Sequence, residues 1–74
     1  MYAFTIPAEH AGKTLSELII SLQETEEFKK KLCTFHEAQA IVSLDSDIII
    51  STAFPSTPVR AGQVLKIFPL LSGG

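Results

Sequence analysis

Thr14-Leu15-Ser16-Glu17 leads into Leu18, Ile19 and Leu22, and this stretch constrains the fold more than any other. Thr and Glu three residues apart form a capping-box signature. The hydroxyl accepts from the N–H three residues on, and the carboxylate reaches back to the cap. Leu15, Leu18, Ile19 and Leu22 then fall at helical spacing and make one apolar stripe. The pattern predicts a helix over 15–23. A helix with one apolar stripe must bury it against another element. The flanking segments read as strands, and no long helices alternate with them. The expected fold class is therefore α+β, with one main helix across the face of a mixed sheet, rather than a doubly wound sheet.

The strand-like segments follow from alternation and β-branched content. Tyr2, Phe4 and Ile6 alternate with Ala3 and Thr5. Residues 38–44 and 48–51 read as a hairpin around the turn Asp45-Ser46-Asp47, where the two acids are turn formers rather than metal ligands. Val64 to Phe68 reads as a last strand with polar Lys66 in its middle. Pro69 removes a backbone donor there. Phe54-Pro55-Ser56-Thr57-Pro58 is a two-proline connection. Glu24 to Leu32 is acidic first and basic later, as the helix dipole prefers, with Phe28 and Leu32 as anchors. Its run Lys29-Lys30-Lys31 reads as a solvated face. The expected core includes Leu15, Leu18, Ile19, Leu22, Ile41, Ile49 and Ile67.

The 74 residues suffice for one domain. A chain this short buries only about 60% of its unfolded surface. The formal charge of −2 argues against a nucleic-acid binder, which would carry a basic patch. A single cysteine, Cys33, precludes an intrachain disulfide framework and a cysteine zinc cluster, and fits a reducing cytoplasm. No signal peptide and no run of membrane-spanning length is evident. His36 lies near Cys33 and Glu37, but two ligands do not make a structural zinc site and no third group orients the histidine, so no metal is expected. No phosphate loop or nucleophile elbow is present.

The chain closes on Ser72-Gly73-Gly74. Glycine has no Cβ and lets the backbone approach a surface closely, so a di-glycine tail suits a narrow channel in another protein. The terminal carboxylate of Gly74 can be activated as an acyl-adenylate and captured by sulfur. The tail follows directly on the last strand, which aims it. The expected organisation is a domain over 1–68 and a tail over 69–74. A frayed end remains the plain alternative.

Arg60-Ala61-Gly62-Gln63-Val64-Leu65-Lys66-Ile67-Phe68-Pro69, followed by Leu70-Leu71-Ser72-Gly73-Gly74, resembles the ending of the ubiquitin-like sulfur-carrier family. Its members are the molybdopterin-synthase small subunit and a relative in thiamine biosynthesis. Phe68-Pro69 is closer to the molybdopterin member, although Leu70 stands where that member has a second proline. The resemblance implies a β-grasp fold, with the last strand central and parallel to the first. It implies a carrier that is a substrate rather than an enzyme. Gly74 would be adenylated and converted to a thiocarboxylate, with Ser72 and Gly73 as the slim approach. ATP would be bound by a partner, a ubiquitin-activating-like adenylyltransferase; the carrier itself would hold no cofactor. The acceptor would be a molybdopterin-synthase large subunit or a thiazole synthase. Phe68, Leu70, Leu71 and Phe54 are the expected docking residues. The family opens with a full β-hairpin, and the 13 residues before Thr14 leave room only for a shortened or incomplete one.

Two other classes stand beside it. Residues 9–19 also resemble the opening of an S4-type RNA-binding segment, but Glu24, Glu26 and Glu27 stand where a basic helix should begin. A β-grasp interaction module without sulfur chemistry is the other.

Overall fold

A computed structural model describes residues 2–32 and 40–69. Four strands and two α-helices follow in the order β1 (Tyr2–Thr5), α1 (Leu15–Gln23), α2 (Glu26–Lys31), β2 (Ala40–Leu44), β3 (Asp47–Ile49) and β4 (Val64–Pro69). Short 3-10 helices cover Ala8–His10 and Ser51–Ser56. The sheet order is β1-β4-β2-β3, which makes β4 central. The architecture is α+β and consistent with a β-grasp.

Helix α1 begins where its capping box predicts. The Thr14 N–H donates to Glu17 Oε1 at 2.9 Å, and the Glu17 N–H donates to Thr14 Oγ1 at 3.2 Å. Leu15, Leu18, Ile19 and Leu22 are buried, whereas Ile20 on the opposite side is 62% exposed. Each buried aliphatic side chain contributes about 1.5–3 kcal/mol relative to exposure. Thr25 caps α2 by accepting from the Phe28 N–H at 3.3 Å, and its hydroxyl donates to the Leu22 carbonyl at 2.7 Å. One threonine thus ends α1 and starts α2. Phe28 and Leu32 reach the core, and Lys29, Lys30 and Lys31 are exposed.

The inner face of the sheet carries Tyr2, Val42, Leu44, Leu65 and Ile67, all buried against the helices. Tyr2 meets Phe28 edge-on with ring centroids 5.0 Å apart. Burial raises the Tyr2 phenol above its ordinary value, the Glu27 charge adds to this, and a hydrogen bond with Thr25 opposes it.

Two expectations are corrected. First, β1 does not pair parallel with β4: the register Tyr2↔Ile67 to Thr5↔Val64 is antiparallel, as are all other pairs, so the sheet is not mixed. Among the described residues β1 passes through the Ala8–His10 turn straight into α1, and it takes the direction that the second strand of a full hairpin would have. Residues 12–15 compensate by pairing with 57–59: Gly12 N–H to Val59 O at 3.0 Å, Val59 N–H to Lys13 O at 2.9 Å, and Leu15 N–H to Thr57 O at 2.7 Å. Second, Ile41 is not core. It is 37% exposed on the outer face, and Val42 and Leu44 point inward instead. Ile49 is only half-buried.

Turns fix the ends of the strands. Gly62, at φ +88°, lets its N–H donate to the Ile6 carbonyl at 2.8 Å before β4 begins. Asp45 and Ser46 both have positive φ, 50° and 75°, the arrangement of a two-residue type I′ hairpin. Asp45 also ties the hairpin to β4, accepting from the Val64 N–H at 2.9 Å on Oδ1 and donating its own N–H to the Val64 carbonyl at 3.0 Å.

Candidate functional site

Strand β4 pairs with β1 from Val64 to Ile67 and with β2 from Leu65 to Pro69, so it is held on both sides from Leu65 to Ile67. Its alternate residues have opposite duties. Leu65 and Ile67 are fully buried, while Lys66 and Phe68 face outward and are exposed. Phe68 is 38% exposed, so it is not a core residue. The strand runs one residue beyond Phe68, with Pro69 opposite Ala40. The chain therefore enters residues 70–74 from a strand whose last two residues, Phe68 and Pro69, pair with Ile41 and Ala40 of β2.

Phe68 pairs across the sheet with Ile41 on β2. Lys66 stands between two small neighbours, Ala3 on β1 and Ser43 on β2. Ser43 in turn faces Ile48 on β3, which is 70% exposed. Ile50, two residues on in extended backbone, is also exposed. The outer face is thus an apolar surface on three strands around one lysine. The ion pair found among the described residues, Lys31 to Glu27 at 3.7 Å on α2, does not involve Lys66.

The expected site residues fare differently. Phe68 lies on this face. Phe54 does not: it is 1% exposed, inside the 3-10 helix Ser51–Ser56 that packs against α1. A short helical turn of small and polar residues sends its one aromatic side chain into the core, so Phe54 is corrected from docking residue to core residue. Leu70, Leu71, Ser72, Gly73 and Gly74 lie outside the described residues, as do Cys33, His36 and Glu37. Among the described residues no group of three or more His, Cys, Asp or Glu side chains could hold a metal ion, and no helix is long and apolar enough to cross a membrane. Sequence reasoning missed Ile41, Ile48 and Lys66 as surface residues. The signal was there for Lys66: a charged residue at the centre of an apolar strand marks the solvated side of a sheet.

Elsewhere, the cap itself perturbs one group. The Thr14 backbone N–H, then its hydroxyl, and more weakly the Lys13 charge hold the Glu17 carboxyl below its ordinary range, against a small opposing effect of burial. Lys13 Nζ donates to His10 Nδ1 at 3.0 Å. Both features lie on the loop that enters α1, beside the β1 end that pairs with Val64 and away from Pro69.

A protein-family model described as the ThiS family matches residues 3–74. No curated protein and no solved structure matches the chain.

Proposed function

The chain belongs to the ThiS family, and from that premise we propose that it is a sulfur carrier whose reactive group is the Gly74 carboxylate. Proteins of this family are small carriers rather than catalysts, which makes the partner the source of ATP chemistry. The observation that carries the proposal is the family match reaching through Gly73-Gly74, together with a last strand inside the sheet that pairs with β2 up to Pro69. That pairing fixes where the tail starts. Five residues beyond Pro69 reach at most about 17 Å when extended. That is enough to enter a cleft in a protein seated against the domain.

The chemistry follows from the carboxylate. Ionised at neutral pH, it is a poor electrophile. A ubiquitin-activating-like adenylyltransferase transfers AMP to it from ATP, releasing pyrophosphate. A persulfide sulfur on a partner cysteine attacks the acyl carbon and expels AMP. Reduction of the resulting acyl disulfide by a second thiol frees the Gly74 thiocarboxylate, a soft nucleophile that hands sulfur on. Ser72 and Gly73 give the tail its slim cross-section. Phe68, Leu70 and Leu71 serve docking, joined by Ile41 beside Phe68. Replacing Leu70 and Leu71 by Ser weakens partner binding and leaves the domain folded.

Phe68-Pro69 favours a molybdopterin-synthase large subunit as the acceptor. The second reading, sulfur supply to a thiazole synthase, is favoured by Leu70 in place of a second proline. Co-purification from the native cell separates them by which synthase is recovered. The carrier chemistry is tested by intact mass after incubation with the activating enzyme, ATP and a sulfur donor. Exchange of one oxygen for sulfur adds about 16 Da at the terminal carboxyl. Deleting Gly74 abolishes the gain; a gain that survives the deletion refutes the proposal.

A further inference from the structure

We propose that Lys66 is the specificity determinant of the outer sheet face, and that the adenylyltransferase docking there places a carboxylate opposite it within an otherwise apolar contact. This inference rests on the sulfur-carrier reading and names a property of the partner that the reading does not.

Four observations carry it. Lys66 sits in the middle of the central strand, so it lies near the centre of the face rather than at its rim. Its direct cross-strand neighbours are the small residues Ala3 and Ser43, of which Ser43 is buried, and Lys66 is exposed between them. Around it stand Ile41, Phe68 and Ile48, all exposed. No ion pair or hydrogen bond partners its side chain among the described residues, and no other charged side chain occupies a strand position on this face.

The charge then decides what fits. Covering an apolar face with a purely apolar surface would bury an unpaired ammonium, which is far more costly than burying the isoleucines is favourable. A partner with a carboxylate at that point satisfies it. The same charge argues against a second copy of the chain as the occupant. A two-fold, face-to-face pair would bring Lys66 toward its own counterpart, and both chains carry net negative charge elsewhere. The lysine also lies on the strand that carries the tail, two residues before Phe68 and three before Pro69. A partner seated on it is the one positioned to take in Gly74. Partners that lack the acidic counterpart are refused at the docking step, before the tail is engaged.

The test uses the full chain and the ubiquitin-activating-like adenylyltransferase of the native cell as the probe. Binding is measured by calorimetry at low and high salt for the wild type, Lys66→Met, Lys66→Glu and a chain lacking Gly74. Lys66→Glu is expected to weaken binding about tenfold or more, and Lys66→Met less, with much of the salt dependence lost. Loss of Gly74 leaves the Lys66-dependent part of binding in place. Circular dichroism verifies that each variant is folded. Replacing an acidic residue of the enzyme by Lys is expected to restore binding of Lys66→Glu, which a merely structural role could not produce. Unchanged binding by Lys66→Glu overturns the inference, as does tighter binding by Lys66→Met. A Lys66-insensitive dimer in sedimentation would replace the proposed occupant by a second copy. If the wild type gains sulfur normally and Lys66→Glu does so at the same rate, this inference fails alone. If the wild type binds but gains no sulfur, the carrier reading fails instead.

Discussion

The inner and outer faces of the sheet are made by the same four strands, yet they use their side chains in opposite ways. Along β4, Leu65 and Ile67 are fully buried while Lys66 and Phe68, their immediate neighbours, are exposed. The inner face meets α1, α2 and the 3-10 helix at Ser51–Ser56, and it holds the core together. The outer face carries the exposed Ile41, Ile48 and Phe68 beside the buried Ser43. Scattered exposed apolar residues need no explanation; grouped on three adjacent strands they supply the docking surface proposed above. The alternation of a strand therefore separates stability from recognition with a one-residue step.

That separation is open to attack with matched substitutions. Ile67→Ala, at a fully buried position, is expected to cost about 2–5 kcal/mol in chemical denaturation, and Leu18→Ala on α1 a similar amount. Ile48→Ala removes the same atoms from a position 70% exposed and is expected to stay within about 0.5 kcal/mol. Equal costs at residues 67 and 48 would break the comparison. Next in size is the cap. Thr14→Ala is expected to cost about 1 kcal/mol, because the Glu17 N–H loses its acceptor. Glu17 adds a pH signature. Its folded pKa is lowered, so its contribution is present above the ordinary carboxylate value and is lost as the pH falls through the folded one. The stability difference between wild type and Glu17→Gln is therefore expected to shrink in acid and to be constant near neutrality. The smallest effect concerns the hairpin. Ser46 adopts φ 75°, which disfavours a side chain, and Ser46→Gly is expected to raise stability by about 0.5 kcal/mol.

Much of this was legible in the residues. The capping box marked α1 to the residue, since its signals are local. The dipole-ordered charges marked α2, and the alternation of Tyr2, Phe4 and Ile6 marked the inward side of β1. What failed was non-local. The direction of β1 against β4 depends on how many strands precede α1, which no local pattern encodes. Ala40-Ile41-Val42-Ser43-Leu44 has apolar residues in both phases, so its inward side is set by the pairing of Val42 with Ile67 rather than by its own alternation. Phe54 was misassigned because one aromatic residue in a polar turn suits a core and an interface equally. Only the fold of Ser51–Ser56 against α1 decides between them. Phe68 suited core and surface equally as a residue type, and its place beside Ile41 on the outer face is a product of register.

The most direct test of the division of labour is the rate of sulfur loading of Phe68→Ser, followed by intact mass with the activating enzyme, ATP and a sulfur donor, alongside its unfolding midpoint. The account predicts a stability loss of only about 1 kcal/mol, from the lost pairing with Ile41, and loading slowed by about tenfold or more, the loss expected when an aromatic anchor leaves an interface. Loading at the wild-type rate by a folded Phe68→Ser protein would contradict it.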